Sequence, residues 1–151
     1  MVQIREISVT DAESVATLST QLGYQSNIRQ TSARIKHINN SNENCAFVAL
    51  IDNKVVGWIH GFYTLRVESD AFVEIGGLIV DENYRNLKIG KQLIENVNIW
   101  AKKHEVKKIK VRCNVKRTES HRFYKQIGFK ENKQQIAFEM GLIFLVSDRN
   151  S

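Results

Sequence analysis

The most constraining feature of this sequence is a strand, a turn and a helix encoded by residues 73–103. Residues 71–80 form an apolar run that is interrupted only by Glu74 and by the pair Gly76 and Gly77. A polar turn follows this run directly. An apolar run of this length, closed by turn residues, predicts a buried strand. We therefore expect the sheet of this protein to be organised around it.

A basic turn that contains glycine, residues 84–90, leads from this strand into a helix. Apolar side chains then recur three and four positions apart, which is the spacing of one helical face; they are Ile89, Leu93, Val97 and Trp100. The first turn of a helix has backbone N–H groups without acceptors, and the helix dipole adds positive potential there. Such a turn is suited to bind an anion, and phosphate is the obvious candidate.

Two blocks of the sequence resemble the GNAT superfamily of acetyl-CoA-dependent N-acetyltransferases. Residues 85–90 (RNLKIG) resemble its pyrophosphate-binding signature, Arg/Gln-x-x-Gly-x-Gly/Ala, except that Lys88 stands where the signature has its first glycine. Residues 121–129 (HRFYKQIGF) resemble a second block, a helix that ends in Phe-Tyr-x-x-x-Gly-Phe. The blocks occur in the family's order and at about its spacing, and the predicted elements cover nearly the whole chain.

The resemblance implies an α/β fold of the α+β type, the GNAT fold, in a single domain over residues 1–151. Its mixed central sheet would have six to seven strands, splayed between the fourth and fifth, with about four flanking helices. The apolar pattern predicts strands near 2–4, 45–51, 55–63, 71–80, 106–115, 129–133 and 135–146, and helices at 12–22, 31–39, 89–103 and 117–126. Thr10 and Glu13 predict a capping box at the first helix. The fifth strand should run parallel to the fourth through a right-handed crossover.

The composition is that of an ordinary soluble protein, with 42% hydrophobic and 25% charged residues. No run approaches the roughly 20 apolar residues of a membrane span, and no signal-peptide pattern is present, so we expect a cytoplasmic protein without a membrane partner. The net charge of +6 would suit nucleic acid, but the basic residues are scattered and no nucleic-acid motif occurs, which disfavours that partner. Cys45 and Cys113 are far apart in predicted strands, which favours buried free thiols over a disulfide or metal site. We expect no metal.

The pair Gly76 and Gly77 predicts a bulge, because glycine weakens a strand unless the backbone must kink or be approached closely. A bulge would separate the fourth strand from the fifth and leave backbone groups unpaired in the gap. The resemblance implies that the pantetheine arm of acetyl-CoA lies there, bound by the backbone of Leu78, Ile79 and Val80. One of their N–H groups would stabilise the oxyanion of the tetrahedral intermediate. The alternative is a bulge with a structural role alone.

The resemblance assigns the pyrophosphate of acetyl-CoA to the backbone amides of the basic turn and to one arginine side chain. The residues concerned are Arg85, Asn86, Leu87, Lys88, Ile89, Gly90 and Lys91. Because Lys88 replaces a glycine, either the backbone contact is weaker or its ammonium group reaches the phosphates. Many relatives have a cofactor-contacting asparagine where this chain has Arg117, and Asn114 could make that contact instead.

Two side chains are candidates for proton transfer. An amine with a pKa near 10.4 is almost entirely protonated at neutral pH, so attack on a thioester needs a proton acceptor. Glu74 is the only charged residue in its apolar strand, and burial would raise its pKa toward a useful range; it would act directly or through a water. A carboxylate on a solvated strand face is the equally weighted alternative. Tyr124 aligns with the family's thiol-protonating tyrosine, and core packing is its alternative role.

The resemblance implies direct transfer of acetyl from acetyl-CoA to a primary amine of a small molecule in a ternary complex. A covalent intermediate is disfavoured because Cys113 lies on the apolar-alternating face of its predicted strand. A polyamine- or aminoglycoside-like cation would need acidic neighbours, and the candidates are Glu43, Glu68 and Asp70. The family's variable region adds Tyr24, Arg29, Arg34 and His37 as candidate acceptor contacts. A protein or peptide amine, and a non-catalytic acyl-CoA sensor of the same fold, remain alternatives; a homodimer stays open.

Overall fold

The structure is a computed structural model that describes residues 1–85 and 88–142. The chain divides into two compact units, residues 1–112 and residues 113–151. Asn86, Leu87 and residues 143–151 lie outside the described part. The single domain over residues 1–151 therefore stays a prediction, and each unit is described by itself.

The first unit contains a five-stranded sheet and three α-helices. In chain order its elements are β1 (Gln3–Glu6), α1 (Ala12–Thr20), α2 (Ile28–Asn39), β2 (Asn44–Ile51), β3 (Lys54–Thr64), β4 (Phe72–Val80), α3 (Ile89–Lys103) and β5 (Ile109–Val111). The strands lie in the order β1-β2-β3-β4-β5. Strands β1 to β4 are antiparallel to one another in succession, and β5 runs parallel to β4. The predicted mixed sheet is confirmed.

Helices cover both faces of this sheet. Helix α3 packs closely on one face, where a Cβ added to Gly61 would lie 2.9 Å from a Val97 methyl group and one added to Gly57 would lie 3.4 Å from Leu93. These glycines let the helix approach the strands. On the other face, α1 and α2 close an apolar core with the sheet, whose buried members include Val15, Leu18, Ile35, Val48 and Ile79.

The predicted bulge in the organising strand is present. Gly61 pairs with Ile75, and His60 pairs with Gly77, so Gly76 is the extra residue of β4. On its other side, β4 pairs with β5 only from Val73 to Ile75. Within the described residues, no strand pairs with that edge of β4 beyond Ile75. The edge from residue 76 to residue 80 is thus left free of strand partners.

The prediction of six to seven strands is wrong, because the described part of the chain contains five. The fifth is three residues long rather than ten, and no strand forms in residues 129–142. Ile136, Phe138, Met140 and Leu142 alternate as in a strand but are 80–90% exposed. Alternation of apolar and polar residues predicts that one face of a strand is apolar, but it does not show which strand the segment pairs with. Where the segment pairs with no strand, its apolar face is not buried. Residues 143–146 of the predicted last strand lie outside the described residues.

The first helix begins differently from the prediction. A short 3-10 turn at Val9–Asp11 precedes α1, and the capping box is formed by Ser8 and Asp11 rather than by Thr10 and Glu13. The Ser8 N–H donates to Asp11 Oδ2 at 2.8 Å. Both pairs have the required spacing of three residues, so the spacing alone did not decide between them.

The second unit contains α4 (Thr118–Gln126), close to its predicted bounds. Gly128 follows the helix with φ of +109°, a conformation that favours glycine. The Phe129 N–H donates to the Tyr124 carbonyl at 2.9 Å, which closes the helix end. A glycine thus ends this helix, and the count of four α-helices is confirmed for the described residues.

Candidate active site

The turn after β4 delivers a positively charged segment to the start of α3. Asp81 is buried; its N–H donates to the Val56 carbonyl at 2.8 Å, and its side chain accepts from the Asn83 N–H at 3.0 Å. These bonds fix the exit from the sheet. Arg85 is extended and exposed at the end of the following 3-10 turn, Glu82–Tyr84. Asn86 and Leu87, both predicted to contact the cofactor, lie outside the described residues.

Lys88 precedes α3 with φ of +62° and ψ of 19°, which is the left-handed conformation. The first intrahelical bond runs from the Gln92 N–H to the Lys88 carbonyl at 3.1 Å. The N–H groups of Ile89, Gly90 and Lys91 therefore have no acceptor within the helix. The Lys88 side chain makes no capping hydrogen bond, and the first turn of α3 carries no acidic residue. The geometry suits an anion, and it explains why the related signature has glycine at the position of Lys88.

The segment between this turn and the bulge has one paired and one open edge. Leu78, Ile79 and Val80 pair with β3 along one edge only. Ile79 is buried in the core, whereas Leu78 and Val80 are half-buried. Backbone N–H and C=O groups on the open edge need partners other than strands of the described chain. An extended ligand arm can supply such partners in the way an added strand does.

Glu74 lies two residues before the bulge, on the sheet face that also carries Phe62. Its side chain is 14% exposed, and its Oε1 lies 3.7 Å from Nε of Arg112. The carboxylate is thus largely shielded from water but not fully buried. It lies next to the open edge of β4, and its role as a proton acceptor stays a prediction.

His60 lies opposite the glycine pair of β4, and the sequence analysis did not identify it as a candidate. Its Nε2 lies 2.7 Å from Asn44 Oδ1, and its ring centroid lies 5.5 Å from that of Phe62. Burial lowers the pKa of His60 below its ordinary value. The signal for His60 in the sequence was a histidine flanked by apolar residues in a predicted strand. Without the register, nothing in the sequence placed it opposite the glycine pair.

Tyr124 lies on α4 among aromatic rings of the second unit. Its ring meets Phe123 and Phe129 edge-on, with centroids 5.3 and 5.5 Å away. Burial, with a smaller effect of Cys113, raises the pKa of Tyr124 to about 12, against the opposing effect of Arg117. The phenol therefore keeps its proton throughout the neutral range, as a proton donor must.

Asn114 and Arg117 form a tight local turn before α4. The Arg117 N–H donates to the Asn114 carbonyl at 3.0 Å, and the Lys116 N–H donates to Asn114 Oδ1 at 2.9 Å. His121 Nε2 lies 2.8 Å from the same Asn114 carbonyl. Asn114 was expected at the end of the fifth strand, but that strand ends at Val111. Both side chains are exposed, and their cofactor contacts stay predictions.

The sequence model described as the acetyltransferase (GNAT) family matches residues 10–129. The chain belongs to the GNAT acetyltransferase family. Acetyl-CoA is thus the co-substrate that its site has to hold. No curated protein sequence matches the chain.

Solved structures with the same fold include two aminoglycoside N-acetyltransferases. AAC(6')-Iy in complex with CoA superposes with a TM-score of 0.83 at 21% identity, over 93% of this chain and 95% of the other. AAC(6')-Ih from Acinetobacter baumannii superposes with a TM-score of 0.83 at 16% identity, over 94% of this chain and 99% of the other. A GNAT family acetyltransferase from Staphylococcus aureus superposes with a TM-score of 0.74 at 18% identity, over 92% of this chain and 98% of the other. At these identities the likeness shows the shared GNAT fold.

The acidic candidates for acceptor binding lie at one end of the GNAT sheet. Glu43 directly precedes β2, while Glu68 and Asp70 lie in the connection from β3 to β4. Because Asn44 pairs with Phe62, and Thr64 pairs with Phe72, these segments meet at the same end. All three acids are exposed, and Glu68 lies 3.7 Å from Arg66.

An open cavity of about 570 Å³ lies between α1 and α2, lined by uncharged residues: Thr20, Gly23, Tyr24, Gln25, Ser26, Asn27 and Gln30. Of the predicted acceptor contacts in this region, Tyr24 lines the cavity, whereas Arg29, Arg34 and His37 are exposed on α2. The cavity lacks a charged group to bind a cation, so the acidic end of the sheet is the stronger candidate for that role.

Other predictions from the sequence have mixed outcomes. Cys45 is buried as expected, and burial raises its pKa to about 12, but Cys113 is only half-buried and lies outside β5. Both cysteines are free thiols. Over residues 1–85 and 88–142, no helix is long and apolar enough to cross a membrane. In the same residues, no group of three or more His, Cys, Asp or Glu side chains could hold a metal ion.

Proposed function

We propose that this GNAT acetyltransferase moves the acetyl group of acetyl-CoA directly to a primary amine of a small, polycationic molecule in a ternary complex. The observation that carries the proposal is the open edge of β4. It begins at the Gly76 bulge and leads to the positively charged start of α3. From Gly76 to Val80 the open edge spans about 13 Å, which gives an extended donor arm a continuous track.

The donor would lie along this track with its phosphates at α3. The free N–H groups of Ile89, Gly90 and Lys91 would bind the pyrophosphate, with the charge of Arg85 added. At Lys88, either the ammonium group would reach the phosphates or the backbone contact would be weaker than with the glycine of the family signature. The pantetheine arm would pair with the backbone of residues 78–80. It would take the place of a neighbouring strand there, because β5 pairs with β4 only as far as Ile75.

The reaction would proceed without a covalent enzyme intermediate. Glu74 would take a proton from the ammonium form of the acceptor, directly or through a water, and the free amine would attack the thioester carbonyl carbon. A backbone N–H of residues 78–80 would stabilise the oxyanion that forms. When the C–S bond breaks, the CoA thiolate would take a proton from Tyr124, whose raised pKa keeps the phenol protonated.

The acceptor is proposed to be aminoglycoside- or polyamine-like because Glu43, Glu68 and Asp70 give one end of the sheet three exposed negative charges. Several ammonium groups on one molecule could meet several carboxylates at once. The aminoglycoside N-acetyltransferases of similar fold support the same class of acceptor. A peptide amine would instead need a groove for its backbone.

The proposal is tested first by binding and turnover of the wild-type chain. Acetyl-CoA should raise the midpoint of thermal unfolding, and aminoglycosides and polyamines should release free thiol in its presence. Release with peptide amines alone would favour a protein substrate. Stabilisation without thiol release across a broad amine panel would contradict the proposal and favour an acyl-CoA sensor.

Two substitutions separate the proposed roles. Glu74→Gln should lower kcat by about 100-fold or more, because the proton acceptor is removed. It should leave the KM for acetyl-CoA nearly unchanged. Arg85→Ala should instead raise the KM for acetyl-CoA by about 10-fold, because a charge-assisted contact is lost.

The matched control is Glu95→Gln, an exposed acid on α3, which should behave as wild type. Steady-state kinetics over pH 6 to 9 make the comparison. An unchanged rate and pH profile in Glu74→Gln would remove Glu74 from the mechanism.

A further inference from the structure

His60 lies on β3 at the point where β4 bulges. It pairs with Gly77, and on the same sheet face its neighbours are Phe62 and, across the strand pair, Glu74. A Cβ on Gly76 would lie 2.9 Å from His60 Nδ1. The missing side chain at position 76 therefore makes the room that the imidazole occupies. Gly76 itself is exposed and His60 is half-buried, so this recess opens to solvent.

Hydrogen bonds to β2 determine which ring nitrogen carries the proton. The Asn44 Nδ2 group donates to Ser41 Oγ at 3.0 Å, so the Asn44 Oδ1 atom faces the imidazole as an acceptor. His60 Nε2, 2.7 Å away, must then be the N–H donor. In a neutral imidazole this leaves Nδ1 with a free lone pair. The lone pair lies on the side of Gly76, at the start of the open edge of β4.

The ring is held as a base rather than as a cation. Burial lowers the pKa of His60, so the neutral form predominates at neutral pH. The ionised groups on the adjoining faces are Glu74 on β4, Lys110 opposite it on β5, and Arg112 just after β5, whose Nε lies 3.7 Å from Glu74 Oε1. On β2 the facing side chains are the neutral Asn44 and Ala46. A neutral imidazole thus stands beside a carboxylate whose charge is opposed by an arginine.

We propose that His60 is a further catalytic residue, which accepts at Nδ1 the second proton that the acceptor nitrogen loses, after Glu74 has taken the first from its ammonium form. This proposal rests on the function proposed above. The amine nitrogen uses its lone pair to form the C–N bond with the thioester carbonyl carbon. Its N–H proton moves to Nδ1, which produces an imidazolium whose Nε2–H still donates to Asn44. The C–S bond then breaks, and the thiolate leaves with the electron pair.

The kinetic test compares His60→Gln, His60→Ala and Asn44→Asp with the wild type. His60→Gln should lower kcat by 10- to 100-fold, with the KM for acetyl-CoA unchanged, and should remove the decline of kcat on the acid side. His60→Ala should regain part of its rate when imidazole is added. Asn44→Asp should move the acid-side decline to higher pH, because a carboxylate stabilises the imidazolium.

His104→Gln is the matched control, since His104 lies at the end of α3 on the opposite sheet face. Circular dichroism establishes that each variant is folded. If His60→Gln kept the wild-type kcat and acid-side decline, the catalytic role would be wrong.

A second measurement does not depend on turnover. Nitrogen NMR of the wild-type histidines at pH 7.5 should show His60 as the Nε2–H form with an unprotonated Nδ1. A proton on Nδ1 would overturn the proposal even if amines were acetylated. Absence of turnover with the expected tautomer would instead count against the proposed function, so the two failures can be distinguished.

Discussion

Lys88 illustrates how one residue departs from a family signature without departing from its geometry. Its φ of +62° is the conformation that the family's glycine adopts freely, whereas a residue with a Cβ is strained there. The sequence identified the position, but only the backbone shows that the strain is real. The chain therefore places a positively charged side chain in a backbone conformation that favours glycine.

The strain at Lys88 predicts an order of stability. Lys88→Gly should be more stable than Lys88→Ala by about 1 kcal/mol, because alanine keeps the Cβ that crowds the left-handed conformation. Urea unfolding measures the difference. Both variants lose the same charge, so any difference in their acetyl-CoA affinity reports the backbone alone. Equal stabilities would mean that position 88 is not left-handed in solution.

Tyr124 gives a prediction about pH. Its pKa of about 12, raised mainly by burial, means that the phenol should not ionise below about pH 11. The wild-type rate should therefore show no alkaline decline from this group up to pH 10. Tyr124→Phe should lower kcat by about 10- to 100-fold while the fold is kept. A wild-type kcat in this variant would assign Tyr124 to packing, which was its alternative role.

At the scale of elements, the start of α1 is held by an ion pair that the sequence did not reveal. Arg5 on β1 donates two hydrogen bonds to Asp11, each of 2.8 Å, and the Ser8 N–H adds a third. Desolvation is the largest influence on the Asp11 pKa and acts to raise it. The bonds from Arg5 and Ser8 together outweigh it, so the net shift is downward.

This ion pair predicts an acid-sensitive contribution to stability. Asp11→Asn should lower the free energy of unfolding at pH 7 by about 2–3 kcal/mol, a value reduced because Arg5 is 37% exposed. A lowered carboxyl pKa gives stability that is complete above the unfolded value near 4 and is lost as the pH falls further.

The difference between wild type and variant should therefore shrink from pH 7 to pH 3 in urea unfolding. The surface pair of Arg66 and Glu68 serves as the comparison, and Glu68→Gln should change stability by less than about 0.5 kcal/mol. A difference that is the same at both pH values would contradict the assignment to Asp11.

The elements themselves were predictable to different degrees. The organising strand and α3 were found because their apolar periods are long and are ended by clear turns. Helix α2 begins at Ile28, three residues before its predicted start, because Asn27 caps it by accepting the Gln30 N–H at 2.7 Å. The short β5 was overestimated, since alternation continues past Val111 where pairing with β4 does not.

For the whole molecule, the family and the sheet topology were predictable, whereas contacts distant in sequence were not. The two family motifs, together with the order of strand-like and helix-like apolar patterns along the chain, predicted the mixed sheet and the charged turn before α3. The recess around His60 was not accessible, because it depends on the register of three strands and on one extra residue in β4. The last strands were predicted wrongly for the same reason: a pattern shows a face but not its partner.

The course of β4 also separates two kinds of recognition. One end approaches the charged turn before α3, and the other approaches the connections at residues 40–43 and 65–71. In the proposed function, acetyl-CoA binds at the first end and the acceptor amine at the second. Under the proposed function, mutations in those two short connections would alter the range of acceptors while the proposed nucleotide-binding end stays intact. Such a scaffold can acquire new chemistry by the exchange of turns alone.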